Sequence, residues 1–146
     1  MTTVDFNGGN GVVFGGTSGI NLGRAGCFAS AGALVAVASR SQEKVDTAVD
    51  ELKSLGSDAR GYALDVRDVE AVQAALADYH AATGDIDVLV SGAAGNFPAL
   101  ANDMSPNGFK SVFDIDLHGS FHVLRSAFQY LKKPGASVIN ITAPHA

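Results

Sequence analysis

Short, unbroken apolar runs alternate along the chain with longer stretches in which apolar residues recur at helical spacing. Apolar runs of this kind are typical of strands buried on both faces of a parallel sheet. The predicted strands cover residues 11–14, 33–38, 59–64, 86–90 and 137–141. The predicted helices cover residues 22–31, 42–55, 69–82 and 107–131. This alternation, with short connections, predicts an α/β fold: a doubly wound parallel sheet in three layers with right-handed crossovers.

The longest predicted helix carries an apolar stripe at helical spacing. Its members are Phe109, Val112, Phe113, Leu117, Phe121, Leu124, Phe128 and Leu131. A stripe of this kind usually packs into a core, so we expect it to be buried rather than to line a ligand site.

The first predicted strand runs through a glycine-rich segment, residues 15–23, into the first predicted helix. Backbone N–H groups and the helix dipole make such a junction an anion site, typically for a pyrophosphate. The alternative is a flexible surface turn, but the strand–helix–strand context favours a nucleotide loop. The predicted contact residues are Gly15, Gly16, Thr17, Ser18, Gly19, Ile20 and Asn21. We also expect Gly19, Gly23 and Gly26, which share a helical face, to let the helix approach the sheet.

The end of the second predicted strand distinguishes between dinucleotides. An acidic residue there favours NAD, whereas a basic residue can pair with a 2′-phosphate. This chain has Ser39 and Arg40 with Lys44 one turn later, and no acid at the strand end. The sequence therefore predicts NADP(H) as cofactor, the alternative being that Arg40 is a solvated surface residue.

The next two strand ends offer further contacts to a nucleotide. Asp65 and Val66 follow the third strand, and the carboxylate of Asp65 can accept a hydrogen bond from an adenine amino group. Asp65 could instead cap the next helix, although Asp68 is better placed to do so. Small residues follow the fourth strand and leave room for a ribose, unless they only form a tight loop. These residues are Ala93, Ala94 and Gly95.

Composition narrows the class of protein. The 146 residues suffice for one domain, and 47% of them are hydrophobic. The net charge is −5 without a basic block, which argues against nucleic acid as a partner. The single cysteine, Cys27, excludes a disulfide framework within these residues, and we expect it to be a buried thiol. No apolar run approaches membrane-spanning length, so we expect no membrane partner and a cytoplasmic location.

Taken in order, these motifs resemble a short-chain dehydrogenase/reductase over essentially the whole chain, with the glycine spacing of Gly15 and Gly19 typical of that family. More narrowly, the segments 93–97, 107–110 and 114–116 resemble the peroxisomal-type 2,4-dienoyl-CoA reductases. Those enzymes use NADPH to reduce a conjugated dienoyl thioester. The resemblance implies an NAD(P)-binding Rossmann-like oxidoreductase of fatty acid metabolism, with a small-molecule substrate such as an acyl-CoA, in a homo-oligomer.

The chain departs from the family pattern at several positions. Asn21 replaces the third glycine of the loop, and we expect Gly23 to take over the packing role of that glycine. Ala143 stands where the family has its catalytic serine. No tyrosine is followed by a lysine four residues later, although the family pairs these residues after the fifth strand. We therefore expect residues 1–146 to be the nucleotide-binding domain without the family's C-terminal catalytic and substrate segment. The alternatives are a non-catalytic nucleotide-binding fragment and a carbonyl or alcohol short-chain dehydrogenase.

The resemblance also implies roles for individual residues. Asp116 replaces the usual helix asparagine and resembles the acid–base residue of the dienoyl-CoA reductases; its alternative role is that of a structural carboxylate. Arg67 is expected to meet phosphates of NADP or CoA, or to be a plain surface charge. Phe97 and Asn107 are expected to line the acyl-CoA path. No metal is expected: His118 and His122 have a metal-compatible spacing, but a third ligand is not evident.

Overall fold

The computed structural model describes residues 4–95 and 97–142, which form five strands and a set of helices. The strands are β1 (Asn10–Phe14), β2 (Leu34–Ser39), β3 (Arg60–Ala63), β4 (Val88–Ser91) and β5 (Ser137–Asn140). The α-helices are α1 (Gly19–Ser30), α2 (Gln42–Ser54), α3 (Val69–Thr83), α4 (Pro106–Phe113) and α5 (Ser120–Ala127). A π-helical segment, Asp114–Gly119, joins α4 to α5, and a 3₁₀ turn, Phe128–Tyr130, follows. The predicted elements are all present, with bounds shifted by a few residues.

All five strands are parallel, in the order β3-β2-β1-β4-β5. In register, Val12 of β1 lies between Ala36 of β2 and Leu89 of β4. The chain moves outward from β1 in both directions, so the strand order reverses between β1 and β4. In doubly wound sheets, the carboxyl ends of the strands at this reversal form the ligand crevice.

Helices cover both faces of the sheet. Alternate residues of β1 point to opposite sides: Val12 and Phe14 join a core with α3 and α5, whereas Val13 joins a core with α1 and α2. The centre of the sheet is fully buried, and each of the five residues of β1 is inaccessible to solvent. These two cores confirm the predicted three-layer α/β fold.

Two helices begin where the sequence predicts, at polar caps. The hydroxyl of Ser41 accepts a hydrogen bond from the backbone N–H of Lys44 at 3.4 Å, at the start of α2. The carboxylate of Asp68 accepts one from the N–H of Ala71 at 3.0 Å, at the start of α3. Because Asp68 is the cap, Asp65 is left free for another role.

The predicted core stripe of the long helix is mostly exposed, and this prediction is wrong. Residues between 45% and 65% exposed form what we call the aromatic stripe: Phe109, Phe113, Leu117, Phe121 and Phe128. The buried positions of the same helical stretch are Ile115, Val123 and Ala127, which lie on another face. Helical periodicity gives one apolar face, but it does not tell whether that face turns to the sheet or away from it.

Two expectations about α1 are also wrong. A Cβ atom on Gly23 would meet no atom within 4 Å, and one on Gly26 would meet only Leu55, at 3.5 Å. The helix packs on the sheet through the small side chains Ala25 and Ala29 instead. Cys27 lies on the outer side of α1 and is exposed rather than buried. Among the described helices, none has the length and hydropathy that a membrane crossing requires.

Candidate functional site

Two glycines follow β1 at the crevice, and the first of them, Gly15, lines it. Gly15 has a φ of +72°, and a Cβ atom there would lie 2.6 Å from the carbonyl oxygen of Gly92. A Cβ atom on Gly16 would lie 2.8 Å from the carbonyl oxygen of Val13. The N–H of Gly15 donates to the carbonyl of Ala38 at 2.8 Å, which ties the loop to β2. Both positions therefore exclude a side chain, and Gly15 also needs a left-handed backbone conformation.

The loop ends at Ser18, which precedes the first turn of α1. The N–H of Leu22 makes the first bond of the helix, to the carbonyl of Ser18 at 3.2 Å. The N–H groups of residues 19–21 come before this bond, and helix geometry leaves them without an acceptor in α1. Together with the helix dipole, they give the crevice a positive end that suits a phosphate.

Asn21 makes the close contact that the sequence assigns to Gly23. Its side-chain amide donates to the carbonyl of Gly92 at 3.2 Å, and its Oδ1 accepts from Arg24 at 2.9 Å. Gly23 takes no part in this packing, because a Cβ atom there would meet open space. Asn21 therefore links α1 to the end of β4, which keeps the loop after β4 beside the glycine loop.

Most of the predicted cofactor residues line one cleft of about 440 Å³. These are Gly15, Thr17, Ser18, Ile20, Asn21, Ser39, Arg40, Lys44, Asp65, Val66, Ala93 and Ala94. The three others, Gly16, Gly19 and Gly95, lie in the segments that form its walls without lining it. Sequence reasoning missed Ala38, Ser41, Leu64, Gly92, Ile115 and Ile141. Each of these except Ile115 ends a predicted strand or follows one within three residues, a signal that could have found it.

Arg40 and Lys44 are exposed at the β2 end of the cleft, where they provide positive charge. The neighbouring carboxylate of Asp65 is bound by Arg67, with Nη2 2.6 Å from Oδ2 and Nε 3.0 Å from Oδ1. This hydrogen bonding lowers the pKa of Asp65, with a smaller contribution from the charge of Arg40. Asp65 therefore stays ionised at the cleft. The pairing of Asp65 with Arg67 was not foreseen from the sequence.

Asp116 lies in a second cavity, of about 550 Å³, that adjoins the cleft. The cavity shares Gly92, Ala93, Ala94 and Ile141 with the cleft and adds Ser91, Asp116, Ser120, Leu124, Asn140 and Thr142. Oδ1 of Asp116 accepts a hydrogen bond from the N–H of Gly95 at 2.8 Å. Within the part of the chain that the structure describes, Oδ2 makes no hydrogen bond. One carboxylate oxygen thus holds the loop after β4, at the wall of the cavity.

The two residues predicted to line an acyl path lie elsewhere. The ring of Phe97 packs on Gly108, with its Cζ 3.0 Å from the position a Cβ atom would take there. Asn107 is exposed in the first turn of α4. Neither residue lines the cleft or the cavity of Asp116. Asn96 and Ala143, which the resemblance also invoked, lie outside the described residues.

The residues present fit a nicotinamide dinucleotide. The deciding observation is the glycine cradle: a Cβ atom at Gly15 would collide with the backbone of Gly92, and one at Gly16 with Val13, so the loop can follow this path only with glycine at both positions. The open N–H groups of α1 and the charges of Arg40 and Lys44 suit the phosphates of such a molecule. Among the described residues, no three histidine, cysteine or acidic side chains are grouped to hold a metal ion.

A family model described as short chain dehydrogenase matches residues 11–146. The chain belongs to the short-chain dehydrogenase family. A peroxisomal 2,4-dienoyl-CoA reductase of Arabidopsis thaliana is 40% identical over 141 residues, which cover 90% of this chain and 47% of that protein. A peroxisomal 2,4-dienoyl-CoA reductase of Saccharomyces cerevisiae is 36% identical over 116 residues, 77% of this chain and 40% of that protein. The chain spans about half the length of these curated relatives.

Solved structures agree with this membership of the short-chain dehydrogenase family. The citronellol catabolism dehydrogenase of Pseudomonas aeruginosa superimposes with a TM-score of 0.87 at 33% identity, covering 96% of this chain and 58% of that one. The comparisons also correct one expectation. A cytoplasmic location is contradicted, because the two reductases described above are named as peroxisomal enzymes. Composition carries no information about that compartment, since a peroxisomal enzyme is as water-soluble as a cytosolic one.

Proposed function

We propose that this short-chain dehydrogenase is an NADPH-dependent reductase of 2,4-dienoyl-CoA thioesters. The observation that carries the proposal is the 40% identity to a 2,4-dienoyl-CoA reductase over 90% of the chain. The position of Asp116, in a cavity that adjoins the nucleotide cleft, supports it. Residues 1–146 would form the nucleotide-binding domain of this enzyme. The names of the relatives favour a peroxisomal site of action.

The proposed cofactor is NADP(H), held by the glycine loop and by Arg40 and Lys44. Arg40 is exposed at the β2 end of the cleft, where its planar guanidinium suits the 2′-phosphate that distinguishes NADPH from NADH. Replacing Arg40 with alanine should weaken NADPH binding about 10- to 100-fold, the value of a charged hydrogen bond, and leave NADH binding nearly unchanged. Fluorescence titration with both dinucleotides measures this. Equal losses for the two, or none for NADPH, would contradict the assignment.

Asp116 is the proposed acid–base residue. The reduction adds one hydride and one proton to the dienoyl thioester, and a bound nicotinamide supplies the hydride. The N–H of Gly95 donates to Oδ1 of Asp116, which fixes the carboxyl group at the wall of the cavity, and Oδ2 is the oxygen proposed to carry the proton. A positioned group of this kind contributes about 10²- to 10⁴-fold to the rate.

Two substitutions separate this role from that of a structural carboxylate. Asp116→Asn keeps an oxygen that accepts from Gly95 but loses the exchangeable proton, whereas Asp116→Ala loses both. If Asp116 moves the proton, both variants lose turnover by about 10²-fold or more while still binding NADPH. If it only anchors the loop, the asparagine variant keeps its activity and the alanine variant does not. The assay is NADPH oxidation with 2,4-dienoyl-CoA by the full-length protein.

The same assay with other substrates tests the reaction itself. Dienoyl-CoA thioesters should be reduced, and simple ketones should not. Reduction of ketones alone would replace the proposal by a carbonyl or alcohol dehydrogenase, and NADPH binding without turnover of either class would make the chain a nucleotide-binding fragment. We also propose a homo-oligomer, because the aromatic stripe leaves a long apolar face exposed to solvent.

A further inference from the structure

One wall of the nucleotide cleft is held from behind by α5. This wall, which we call the β3 wall, consists of Leu64, Asp65 and Val66, all of which line the cleft. Behind it, Nδ1 of His122 lies 2.8 Å from the carbonyl oxygen of Val66. Because the oxygen can only accept, Nδ1 carries the hydrogen and donates it. The contact spans 56 residues of sequence and joins α5 to the turn that follows β3.

The first residue of the wall is attached to β2, because the N–H of Leu64 donates to the carbonyl of Ser39 at 2.9 Å. The turn that follows has its own hydrogen bonds, but these do not attach it to the rest of the protein. The N–H of Asp68 donates to the carbonyl of Asp65 at 3.0 Å, and the N–H of Arg67 donates to the side chain of Asp65 at 2.9 Å. Both bonds start and end within the turn. The bond from His122 is the one that fixes the Val66 carbonyl to a helix.

Gly119, one turn before His122, brings the helix close enough for this bond. A Cβ atom on Gly119 would lie 2.5 Å from Cγ2 of Val66. Val66 is 6% exposed, so its side chain is enclosed between the helix and the cleft. Any movement of the Val66 backbone is therefore a movement of the cleft wall.

We infer that His122 is a positioning residue for the cofactor, which fixes the β3 wall through the Val66 carbonyl without touching the cleft. The inference rests on the proposed function in that the cleft binds a nicotinamide dinucleotide. His122 does not line the cleft or the cavity of Asp116. Its effect should therefore fall on cofactor affinity and leave the chemical step unchanged.

The test is a set of substitutions in the full-length protein. His122→Leu removes the donor, and His122→Gln keeps polarity but places its amide farther along the side chain than Nδ1. His122→Asn restores a donor at nearly the position of Nδ1. The matched control is His118→Leu, one turn earlier, because His118 is exposed and its Nδ1 contacts only the side chain of Asp114, at 3.1 Å.

The leucine and glutamine variants should bind NADPH about five- to tenfold more weakly, with kcat within about twofold of the wild type. Hydrogen exchange of the peptide that covers residues 64–68 should accelerate by a similar factor. The asparagine variant and the His118 control should match the wild type in both measurements. If leucine prevents folding, the comparison of glutamine with asparagine decides.

Three results would overturn the inference: unchanged affinity and exchange in the leucine and glutamine variants, an asparagine variant no better than glutamine, or a loss of kcat with affinity preserved. Hydrogen exchange needs no ligand. If the wild-type protein binds no dinucleotide, the proposed function fails, while the exchange data still decide whether His122 anchors the wall.

Discussion

The central strand of the sheet and its β5 edge differ sharply in how they are covered. Every residue of β1 is buried, and helices pack on both of its faces. All four residues of β5 are exposed, including Val138 and Ile139, and the aromatic stripe of the neighbouring long helix is also open to solvent. The cleft is thus built on the part of the domain that packs most completely against itself, whereas the Asp116 side presents exposed apolar surface.

Glycines and apolar residues of these two regions look alike in the sequence, but their surroundings in the structure differ. Near β1, Gly15 and Gly16 have no room for a Cβ atom, so a change there acts on the cleft directly. The apolar residues of β5 and of the aromatic stripe are exposed instead, and we propose that a second copy of the chain packs on the stripe. The predictions below test each side of this comparison.

The largest effect is expected at Gly15. Gly15→Ala places a Cβ atom 2.6 Å from a backbone oxygen at a φ of +72°, so the loop must move. We expect a loss of about 3 kcal/mol of unfolding free energy and no measurable NADPH binding. Denaturant unfolding and fluorescence titration measure the two.

Gly23→Ala is the matched control within the same loop and helix. Its Cβ atom would meet nothing within 4 Å, and alanine favours a helix over glycine by about 1 kcal/mol. This variant should be as stable as the wild type or slightly more stable, with normal cofactor binding. If both substitutions lowered stability and cofactor binding equally, the lack of space for a side chain at Gly15 would not be what the loop requires.

An intermediate effect is expected on the aromatic stripe. Phe121→Lys places a charge on the proposed contact face, and burial of one phenylalanine contributes about 1.5–3 kcal/mol. We expect the dissociation constant of the oligomer to rise about 10- to 100-fold, measured by sedimentation. The control is Val4→Lys, because Val4 is also an exposed apolar residue but lies far from Phe121 in the sequence. This substitution should leave assembly unchanged. A monomeric wild-type protein would exclude a second copy as the cover.

The smallest effect is expected at Arg67. Its hydrogen bonds lower the pKa of Asp65, so Arg67→Gln should return that pKa towards the ordinary value of about 3.9. A lowered pKa in the folded state adds stability above about pH 4 that is lost as the pH falls through the folded value. The difference in stability between wild type and variant should therefore shrink on acidification. Both groups are partly exposed, so it should stay below about 1 kcal/mol at neutral pH.

Carbon-13 NMR of the Asp65 carboxyl group follows this titration directly. Arg60→Gln is the control, because Arg60 pairs with Asp78 on another surface at 3.8 Å. An Asp65 pKa that does not move in Arg67→Gln would mean that Arg67 is not what lowers it.

The cleft could be predicted from the sequence because strand ends and glycines carry local signals. Gly15 follows an apolar run, and Arg40 and Asp65 each follow a strand, so parallel pairing alone brings them to one edge. The contacts of Asn21 and His122 could not be predicted, since each joins segments far apart in sequence. The aromatic stripe was assigned to the wrong side because its spacing defines a face without giving its direction. Ile115 was missed because a π-helical segment presents it to the cleft.

That π-helical segment, Asp114–Gly119, has a consequence for how the two halves of the molecule are linked. In a regular helix each residue advances by about 100°, so an inserted residue rotates everything after it by that angle. The segment therefore determines the angle about the helix axis between Phe113, which precedes it, and Phe121 and His122, which follow it. The same insertion that accompanies Asp116 at its cavity also fixes which way the exposed phenylalanines face, so the proposed acid–base residue and the proposed contact surface depend on one change in helix geometry.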